Sequence, residues 1–529
     1  MSSQTDIVII GTGFSGLGMG IRLREAGYTN FVILEQSDDI GGTWHENHYP
    51  GCACDVQSAL YSFSFEPNPN WSRIFARQEE IKAYLKHCAE KYNLMSHIRL
   101  NTHVVGARYQ SAGQYWAIET MASPEVWAYR QRRGLNPGDE LDRNDPDLPA
   151  VTRLDSPVLI SGMGGLSTPA YPGIKGAGTF EGKQFHSQNW DHDYDLRGKR
   201  VAVIGTGASA IQFVPEVAKE AAHLDLYQRT PPWIMPKPDR KIRAAEKALF
   251  RRVPQSQALL RNSIYWQLEA RVLGFVLNPR ILKLGELQAR RHIRRQISDP
   301  ELRRKVTPDF HFGCKRVLIS NNYYPALAQD NVDVLTDGVE EIRAHSIVDA
   351  KGVERPVDCL IYGTGFKAQE PIPRGMVFGR DGTDLLDAWQ AGAEAYKGTT
   401  VSGFPNFFIL MGPNTGLGHS SMVYMIESQV QYVLATLRAM KRRGWQAVEV
   451  KSEAQSRYNA SMQAKLGDSV WQSGCKSWYV NEHGRNTTLW PGFTWQFRQQ
   501  TRRFDVAQYH CEPSAVEAPM PGEAVRGTA

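Results

Sequence analysis

The sequence predicts an α/β protein built from two doubly wound parallel sheets, because one strand–turn–helix–strand pattern occurs twice. In the first copy, the apolar run Ile7–Ile10 leads through a glycine-rich turn and a helical pattern to a second apolar run, Phe31–Leu34. In the second copy, Arg200–Ile204 leads through a similar turn to an apolar run at residues 224–227. Each copy has the length of a βαβ unit. Two such units predict two Rossmann-like, dinucleotide-binding domains.

The length of the chain predicts more than one domain. At 529 residues it exceeds what a single hydrophobic core supports, so two or three domains are expected. A charged helical pattern, with Leu, Phe and Trp at spacings of three and four, predicts a helical insert at about 235–305. The first predicted domain is discontinuous and comprises residues 1–160 and 370–511, and the second, at residues 161–369, carries the insert. A surface insertion is predicted at residues 124–155 and a disordered tail at residues 512–529.

The charge balance favours small anionic ligands over nucleic acid. The 61 basic and 55 acidic residues give a net charge of +6. This small excess fits a dinucleotide better than a nucleic acid, which would require a basic stripe. The basic clusters Arg251-Arg252 and residues 290–295 are interpreted as solvated helix faces. No nucleic-acid partner is therefore predicted.

The sequence predicts neither a targeting segment nor a membrane span. The first apolar run, Ile7–Ile10, ends at a glycine and is typical of a strand. No stretch approaches the roughly 18 apolar residues that a spanning helix needs. The seven cysteines are sparse and odd in number, and Cys52 and Cys54 form the only close pair. We therefore expect a cytoplasmic protein whose thiols are reduced.

The first glycine-rich turn, Gly11-Thr-Gly13-Phe14-Ser15-Gly16, has all three glycines of a dinucleotide fingerprint. Gly11 permits a tight turn, Gly13 lets the backbone approach a pyrophosphate, and Gly16 lets the helix pack close to the strand. The pyrophosphate would lie at the helix N-terminus, where N–H groups lack partners. Glu35 ends the second strand, where an acid can accept hydrogen bonds from a ribose. The alternative is a glycine-rich turn without a ligand.

The second turn, Gly205-Thr206-Gly207-Ala208-Ser209-Ala210, has alanine at the third glycine position, which the fingerprint tolerates. The strand after it ends in Gln228-Arg229-Thr230. An arginine at the position where an acid would hold the ribose of NAD favours a 2′-phosphate, and hence NADP. A surface arginine that caps a loop is the alternative.

Three further motifs resemble those of one enzyme family. The stretch Phe180-x-Gly182-x3-His186-x3-Trp190-Asp191 resembles the fingerprint of the Baeyer–Villiger monooxygenases. The segment from Gly41-Gly42-Thr43-Trp44 through Tyr49-Pro-Gly to Asp55 is similar to a second signature of that family, and Gly313-Cys-Lys315-Arg316 to a third. The likeness covers residues 5 to about 495 and is weakest in the predicted surface insertion and the helical insert.

The resemblance implies tightly bound FAD, with NADPH as the electron donor and molecular oxygen as a co-substrate. In this family the reduced flavin forms a C4a-peroxyflavin. Its anion attacks a ketone carbonyl, and one carbon substituent then migrates to oxygen, so that an ester or lactone forms. The substrate expected here is a small apolar ketone.

The resemblance also assigns catalytic residues. Arg316 matches the catalytic arginine of the family, and Asp55 matches the aspartate that pairs with it. A fixed arginine suits this chemistry, because it supplies charge-assisted donors to an anion and does not lose its proton. His186 matches a histidine in the linker between the domains, where it would couple domain motion to hydride delivery. The alternatives are a structural ion pair for Arg316, a turn residue for Asp55 and a hydrogen-bonded interdomain histidine for His186.

The two turns and the family motifs together give the predicted cofactor contacts. For FAD they are Gly11, Gly13, Phe14, Ser15, Gly16, Glu35, Gly42, Thr43, Trp44, Asp55 and Tyr61. For NADP they are Gly205, Thr206, Gly207, Ala208, Ser209, Arg229, Thr230, Lys315 and Trp478. The assignments of Lys315 and Trp478 rest on the resemblance alone. No metal ligands are predicted.

Three other functions compete with this interpretation. A flavin-containing monooxygenase that oxidises amines or sulfides shares both glycine turns, but the Trp190-Asp191 ending and the Gly42-to-Asp55 signature argue against it. A flavin-linked disulfide reductase would need a C-x-x-C pair or its equivalent, which the sequence lacks. A non-catalytic NADP(H) sensor would have no use for Arg316 and Asp55. The ketone, the regiochemistry, the extent of sulfoxidation, the oligomeric state and the role of residues 124–155 stay open.

Overall fold

The structure, a computed structural model, describes residues 3–136, 139–370, 372–475 and 477–513. The first glycine turn belongs to a parallel sheet whose four longer strands are almost completely buried. Such strands need cover on both faces, which explains their continuous apolar runs. The strand order is Phe407–Ile409, Val158–Ser161, Ile7–Ile10, Phe31–Leu34 and Ile98–Arg99.

The second glycine turn belongs to a separate five-stranded parallel sheet. Its strand order is Val332–Leu335, His223–Tyr227, Arg200–Ile204, Cys359–Tyr362 and Lys183–His186. The helix Ala210–Glu220 follows the second turn as the helix Phe14–Glu25 follows the first. The prediction of two doubly wound sheets is therefore confirmed.

A third sheet was not predicted, and it corrects the interpretation of residues 124–155. Part of this segment is not a surface insertion, because the helix Ser123–Arg133 buries Val126 and Tyr129. After an irregular stretch, the strand Thr152–Ser156 pairs with Tyr115–Ala122. The polar composition of residues 124–155 gave no sign of the buried face of the helix or of the strand. The strand order of this sheet is Ser3–Gln4, Thr152–Ser156, Tyr115–Ala122, Thr102–Gln110 and Val377–Phe378.

The predicted helical insert is present. It contains the α-helices Ala244–Arg252, Pro254–Glu269, Leu282–Gln296 and Pro300–Val306, with a π-helical turn at Leu273–Leu277 and a 3-10 turn at Pro279–Ile281. The strand pair Ile234–Met235 and Leu318–Ile319 closes it at its base. Phe275 stacks on Trp471 at a centroid distance of 6.0 Å, so the insert also contacts the C-terminal part of the chain.

The remaining elements complete the layers around the three sheets. The other α-helices are Thr43–Glu46, Gln78–Lys91, Tyr323–Leu327, Leu385–Ala388, Met422–Arg443, Ser452–Gly467 and Thr494–Thr501. The other 3-10 turns are Met95–His97, Ala177–Thr179, Ser187–Asn189, Arg380–Gly382, Val470–Gln472 and Val506–Gln508. Three further strands, Val339–Arg343, Ser346–Asp349 and Glu354–Pro356, form an antiparallel sheet.

Two residues of the predicted C-terminal tail belong to a strand. Glu512 and Pro513 do not belong to a disordered tail, because they end the strand Tyr509–Pro513, which pairs with Trp445–Val450. Arg380 fixes Glu512 through an ion pair of 2.9 Å. The rest of the predicted tail, residues 514–529, lies outside the described residues.

Two cysteines contradict the expectation of reduced thiols. Cys314 and Cys475 form a disulfide across 161 residues of sequence, with their Cα atoms 6.3 Å apart. The other five cysteines are free. Sequence spacing could not reveal this pair, because only the fold brings the two segments together.

The thiol count gives a direct check of the disulfide. Five thiols are expected to react with a thiol reagent when the unreduced protein is unfolded, and all seven after reduction. A disulfide that closes so long a loop stabilises mainly by restricting the unfolded chain, so Cys475→Ser should lower the free energy of unfolding by about 2–4 kcal/mol. Cys511→Ser, which removes a free thiol, is the matched control. Seven reactive thiols before reduction would contradict the pairing.

Among the described residues, no helix combines the length and the apolar character that crossing a bilayer requires.

Candidate active site

The first glycine turn is shaped by close backbone contacts that only glycine permits. Gly11 has a φ of +94°, and a Cβ there would lie 2.9 Å from the carbonyl oxygen of Gly162. A Cβ at Gly16 would lie 1.8 Å from the carbonyl oxygen of Gly11, so the helix approaches the strand as predicted. Ser15 and Phe14 are buried in the first turn of this helix.

A second glycine segment faces the first. Gly42 has a φ of +53°, and a Cβ there would lie 2.8 Å from the Cα of Gly13. Thr43, which is exposed, begins the short helix Thr43–Glu46 directly after it. Two backbones without side chains therefore meet at the N-terminus of the first helix, where an anion can approach N–H groups.

Glu35 ends its strand as predicted, and its carboxylate is bound to the turn itself. One carboxylate oxygen accepts hydrogen bonds from the backbone N–H of Thr12 at 2.8 Å and from its hydroxyl at 2.6 Å. The other accepts from the N–H of Ser37 at 2.9 Å. Glu35 thus holds the glycine turn against the strand end, and its contact with a ribose stays a prediction.

Three aromatic side chains pack together beside the first turn. The indole N–H of Trp44 donates to the hydroxyl of Tyr61 at 3.2 Å. Phe14 meets Tyr61 edge-on at a centroid distance of 5.1 Å. Tyr49, from the same signature as Trp44, instead contacts the second sheet's helix, because its ring meets Phe213 at 5.9 Å. The signature therefore contributes to the surroundings of both turns.

The second glycine turn repeats the sterics of the first and leaves open space beside it. Gly205 has a φ of +111°, and a Cβ there would lie 2.3 Å from the carbonyl oxygen of Gly363. A Cβ at Gly207 would meet nothing within 4 Å, so the backbone is accessible there. The hydroxyl of Thr206 donates to the carbonyl of Thr230 at 3.1 Å, which joins the turn to the end of the next strand. Ala208 is exposed and Ser209 is half-buried on the same side.

Two cations lie near each other at this strand end. Burial lowers the pKa of Lys315 below its ordinary value, and the positive charge of Arg229 lowers it further. The Lys315 ammonium lies 4.8 Å from the ring centre of Phe310. Within the described ranges, neither Lys315 nor Arg229 has a carboxylate within 4 Å. Asp309 interacts with Lys315 only at longer range, so two neighbouring cations outside any close ion pair suit a bound dianion such as a 2′-phosphate.

The centre of the candidate site is an ion pair between residues 261 positions apart. Both Nε and Nη2 of Arg316 donate to one carboxylate oxygen of Asp55, at 3.1 and 2.5 Å. About a third of each side chain is exposed. Burial opposes ionisation of Asp55, but the Arg316 guanidinium outweighs it and lowers the pKa of the carboxyl. The charge of Asp55 in turn raises the pKa of Arg316.

A tyrosine that the sequence analysis missed adjoins this pair. The hydroxyl of Tyr479 is buried and has no hydrogen-bond partner among the described residues. Burial raises the pKa of Tyr479 to about 12, and the charge of Arg316 opposes that rise. Tyr479 therefore supplies a neutral donor near the ion pair. No pattern in the sequence marked it, because it lies in an irregular loop.

A glutamine joins the segment before Asp55 to the second glycine-turn helix. Gln212 accepts a hydrogen bond from the N–H of Ala53 at 3.0 Å and donates to the carbonyl of the same residue at 3.1 Å. A Cβ at Gly51 would lie 2.7 Å from the carbonyl oxygen of Gln212, so the two segments are in close contact. These hydrogen bonds, here called the Gln212 clamp, fix the segment that carries Asp55 relative to the second glycine turn. Sequence analysis missed this contact.

The structure places His186 apart from the ion pair. It ends the strand Lys183–His186, is fully buried, and accepts a hydrogen bond from the N–H of Gln188 at 3.1 Å. Gln188 donates to Glu46 at 3.0 Å, so this linker reaches the helix that carries Trp44. Trp190 packs between Phe185 and the second glycine-turn helix. The linker motif therefore ties the two sheets together.

Trp478 lies at the surface of the loop that the disulfide restrains. Its ring is 47% exposed and contacts Tyr479 at a centroid distance of 4.6 Å. The carbonyl of Trp478 accepts a hydrogen bond from Gln369 at 2.7 Å. Since Cys314 immediately precedes Lys315, the disulfide joins this loop to the segment that carries Arg316.

Comparison with known proteins identifies the family. Family models match residues 9–78 as an NAD(P)-binding Rossmann-like domain and residues 160–302 as flavin-binding monooxygenase-like. A Baeyer-Villiger monooxygenase of Pseudomonas aeruginosa is 57% identical over 97% of this chain and 92% of its own length. Another, from Streptomyces coelicolor, is 45% identical over 95% of this chain and 92% of its own length.

The fold agrees with that assignment. The solved structure of OTEMO in complex with FAD and NADP superimposes with a TM-score of 0.81 at 27% identity, over 97% of this chain and all of that one. The geometry of the two turns and the identity of the close relatives lead to one conclusion: the chain belongs to the Baeyer–Villiger monooxygenases.

Proposed function

We propose that the protein is an NADPH-dependent flavin monooxygenase that inserts one atom of O₂ next to the carbonyl of an apolar ketone. The product is an ester or a lactone, and the second oxygen atom leaves as water. The observation that carries this proposal is the Asp55–Arg316 ion pair, which lies in a segment clamped to the second glycine-turn helix. A dinucleotide-binding protein without this chemistry would need no such pair.

FAD is assigned to the first turn, where the close approach of the Gly13 and Gly42 backbones, which carry no side chains, fits a pyrophosphate. When bound, it supplies the redox chemistry and the activation of oxygen. The first turn, Glu35 and the aromatic group of Phe14, Trp44 and Tyr61 would hold it. NADP is assigned to the second turn, where Gly207 leaves space and Arg229 with Lys315 supplies positive charge. OTEMO binds both of these cofactors.

The role of Arg316 follows from its charge and its fixed position. Negative charge that develops on oxygen during the reaction is stabilised by a preorganised cation. An arginine keeps its proton throughout, and the two hydrogen bonds to Asp55 fix the plane of its guanidinium. Asp55 acts as a positioning residue. Tyr479 adds a neutral hydroxyl beside the same group.

The role of His186 is structural coupling between the sheets, and this has a consequence for the pH dependence. Burial lowers the pKa of His186 to about 4, so its ring is neutral throughout the usual assay range. An exposed histidine would instead titrate near pH 6.5. A plot of kcat/KM against pH should therefore have the same inflections for the parent enzyme and His186→Gln, whatever the difference in rate between them. His192→Gln, in the same linker and exposed, is the matched control. An inflection near pH 6.5 that disappears only in His186→Gln would contradict the assignment.

The experiment that tests the proposed function measures ketone-dependent NADPH oxidation in air. The protein, reconstituted with FAD, is incubated with cyclic, linear and aryl ketones, and the products are identified by mass. The proposal predicts an ester or a lactone from at least one class. Amine or sulfide oxidation without any ester would instead assign the heteroatom chemistry of the flavin-containing monooxygenases.

A further inference from the structure

The helical insert exposes an unusual number of apolar side chains. Among the described residues, eighteen large apolar side chains are exposed, and nine of them lie between residues 244 and 296. Leu259, Leu277 and Leu284 are 70%, 63% and 71% exposed. Isolated exposed leucines are ordinary, but a concentration of this kind marks an interaction surface.

These side chains share faces on the helices that carry them. Leu259 and Trp266 are seven residues apart on the helix Pro254–Glu269 and so lie on one side of it. On the helix Leu282–Gln296, Leu284 and Leu287 share a face with Arg291 and Arg294 farther along. The exposed face of this helix is therefore apolar in its first half and basic in its second.

The same segment also carries the net positive charge of the protein. Residues 244–296 contain eleven lysines and arginines against three acids, a net charge of +8, while the whole chain carries +6. The rest of the chain therefore has a net charge of −2. Of the three acids, Glu269 is buried, and Glu246 and Glu286 are paired with arginines. Within the described ranges, Arg291, Arg294 and Arg295 have no carboxylate within 4 Å.

We propose that the exposed face of the helix Leu282–Gln296, here called the insert face and formed by Leu284, Leu287, Arg291, Arg294 and Arg295, binds the surface of an anionic phospholipid bilayer. Exposed leucines would enter the boundary between headgroups and acyl chains, and the arginines would contact lipid phosphates. The helix would lie along the surface of the membrane. This inference does not depend on the proposed reaction.

The charge distinguishes this occupant from two others. A second copy of the chain would bring its own Arg291, Arg294 and Arg295 against those of the first, which disfavours self-association through this face. A nucleic acid would attract the arginines, but it has no apolar surface that would cover Leu284 and Leu287. A bilayer with acidic headgroups satisfies both the charged and the apolar half of the face.

The test is co-sedimentation of the full-length, FAD-loaded protein with vesicles. Vesicles of phosphatidylcholine alone are compared with vesicles containing about one third phosphatidylglycerol, at low and at high salt. The proposal predicts at least tenfold tighter binding to the anionic vesicles, weakened by salt because the Debye length falls to about 3 Å at 1 M.

Matched variants separate the two halves of the insert face. Leu284→Ser with Leu287→Ser should weaken binding about tenfold, and Arg291→Glu with Arg294→Glu and Arg295→Glu about 100-fold. The controls are Val353→Ser, an exposed apolar side chain elsewhere, and Arg502→Glu with Arg503→Glu, an exposed basic pair outside the insert. The controls should bind as the parent does, and NADPH oxidation in free solution should be unchanged in all of these variants.

Four results would overturn the proposal. The first is no binding to anionic vesicles at low salt, and the second is binding that every insert-face variant retains. The third is a parent protein that sediments as a dimer and becomes a monomer in the leucine variant, because the face would then be a contact between copies of the chain. Binding of duplex DNA that ignores the leucines, without vesicle binding, would likewise assign the face to nucleic acid.

Discussion

Replacing Arg316 by alanine is expected to lower ester formation by 100-fold or more while NADPH still reduces the bound flavin. Removal of a single preorganised donor to a developing oxyanion costs about 10²–10³ in rate in other enzymes. Arg316 is also a full positive charge, held by Asp55 at 2.5 Å. Stopped-flow absorbance follows flavin reduction without oxygen, and chromatography of the aerobic mixture measures the ester.

The conservative variant separates charge from geometry. Arg316→Lys keeps a cation but cannot donate two coplanar hydrogen bonds to Asp55, so an intermediate rate is expected. Thermal unfolding and flavin content must match the parent, because Asp55 would otherwise be left as a partly buried, unpaired acid. Ester formation by Arg316→Ala at the parent rate would remove this residue from the chemistry.

Replacing Arg229 by alanine is expected to lower the preference for NADPH over NADH by about 10- to 100-fold. A hydrogen bond to a charged group contributes about 1.5–3 kcal/mol, and the lost partner here would be a phosphate dianion. The effect should appear mainly as a higher KM for NADPH. The KM for NADH should change little, because NADH has no 2′-phosphate for Arg229 to bind. Steady-state kinetics with both coenzymes give the ratio of the two kcat/KM values.

Two further variants define the phosphate site. Lys315→Ala should act in the same direction, because Lys315 lies close enough to Arg229 for their charges to interact. Lys199→Ala is the control, since Lys199 precedes the strand Arg200–Ile204 and so lies at the opposite end of the sheet from the glycine turn. If the coenzyme ratio did not change in either Arg229→Ala or Lys315→Ala, the 2′-phosphate would have to bind elsewhere.

The parts that the sequence predicted well are those determined by local sterics. At Gly11 and Gly205 the positive φ is a local requirement of the turn, and at Gly16 the close contact is with Gly11 of the same strand–turn–helix unit, so the residues alone predict the conformation. The Asp55–Arg316 pair spans 261 residues and was predicted only through motif resemblance. Physical reasoning from spacing could not have joined those two segments.

The parts that the sequence did not predict depend on distant contacts. The helix Ser123–Arg133 has many charges, and its buried face is visible only against the third sheet. The disulfide and the Gln212 clamp join segments that are 161 and 159 residues apart. Tyr479 acquires its place beside Arg316 from the loop that the disulfide restrains. In each case a tertiary contact determines the role of the residue, and the local sequence gives no signal of it.

The most direct measurement of the central claim is the mass of the product formed under ¹⁸O₂. The FAD-loaded protein, NADPH and a converted ketone should give an ester or lactone that contains one ¹⁸O atom, and Arg316→Ala should consume NADPH without forming the labelled product. If the parent enzyme oxidised NADPH but formed no ¹⁸O-labelled ester or lactone from any ketone, that result would contradict the account. So would an Arg316→Ala variant that forms the labelled ester as fast as the parent.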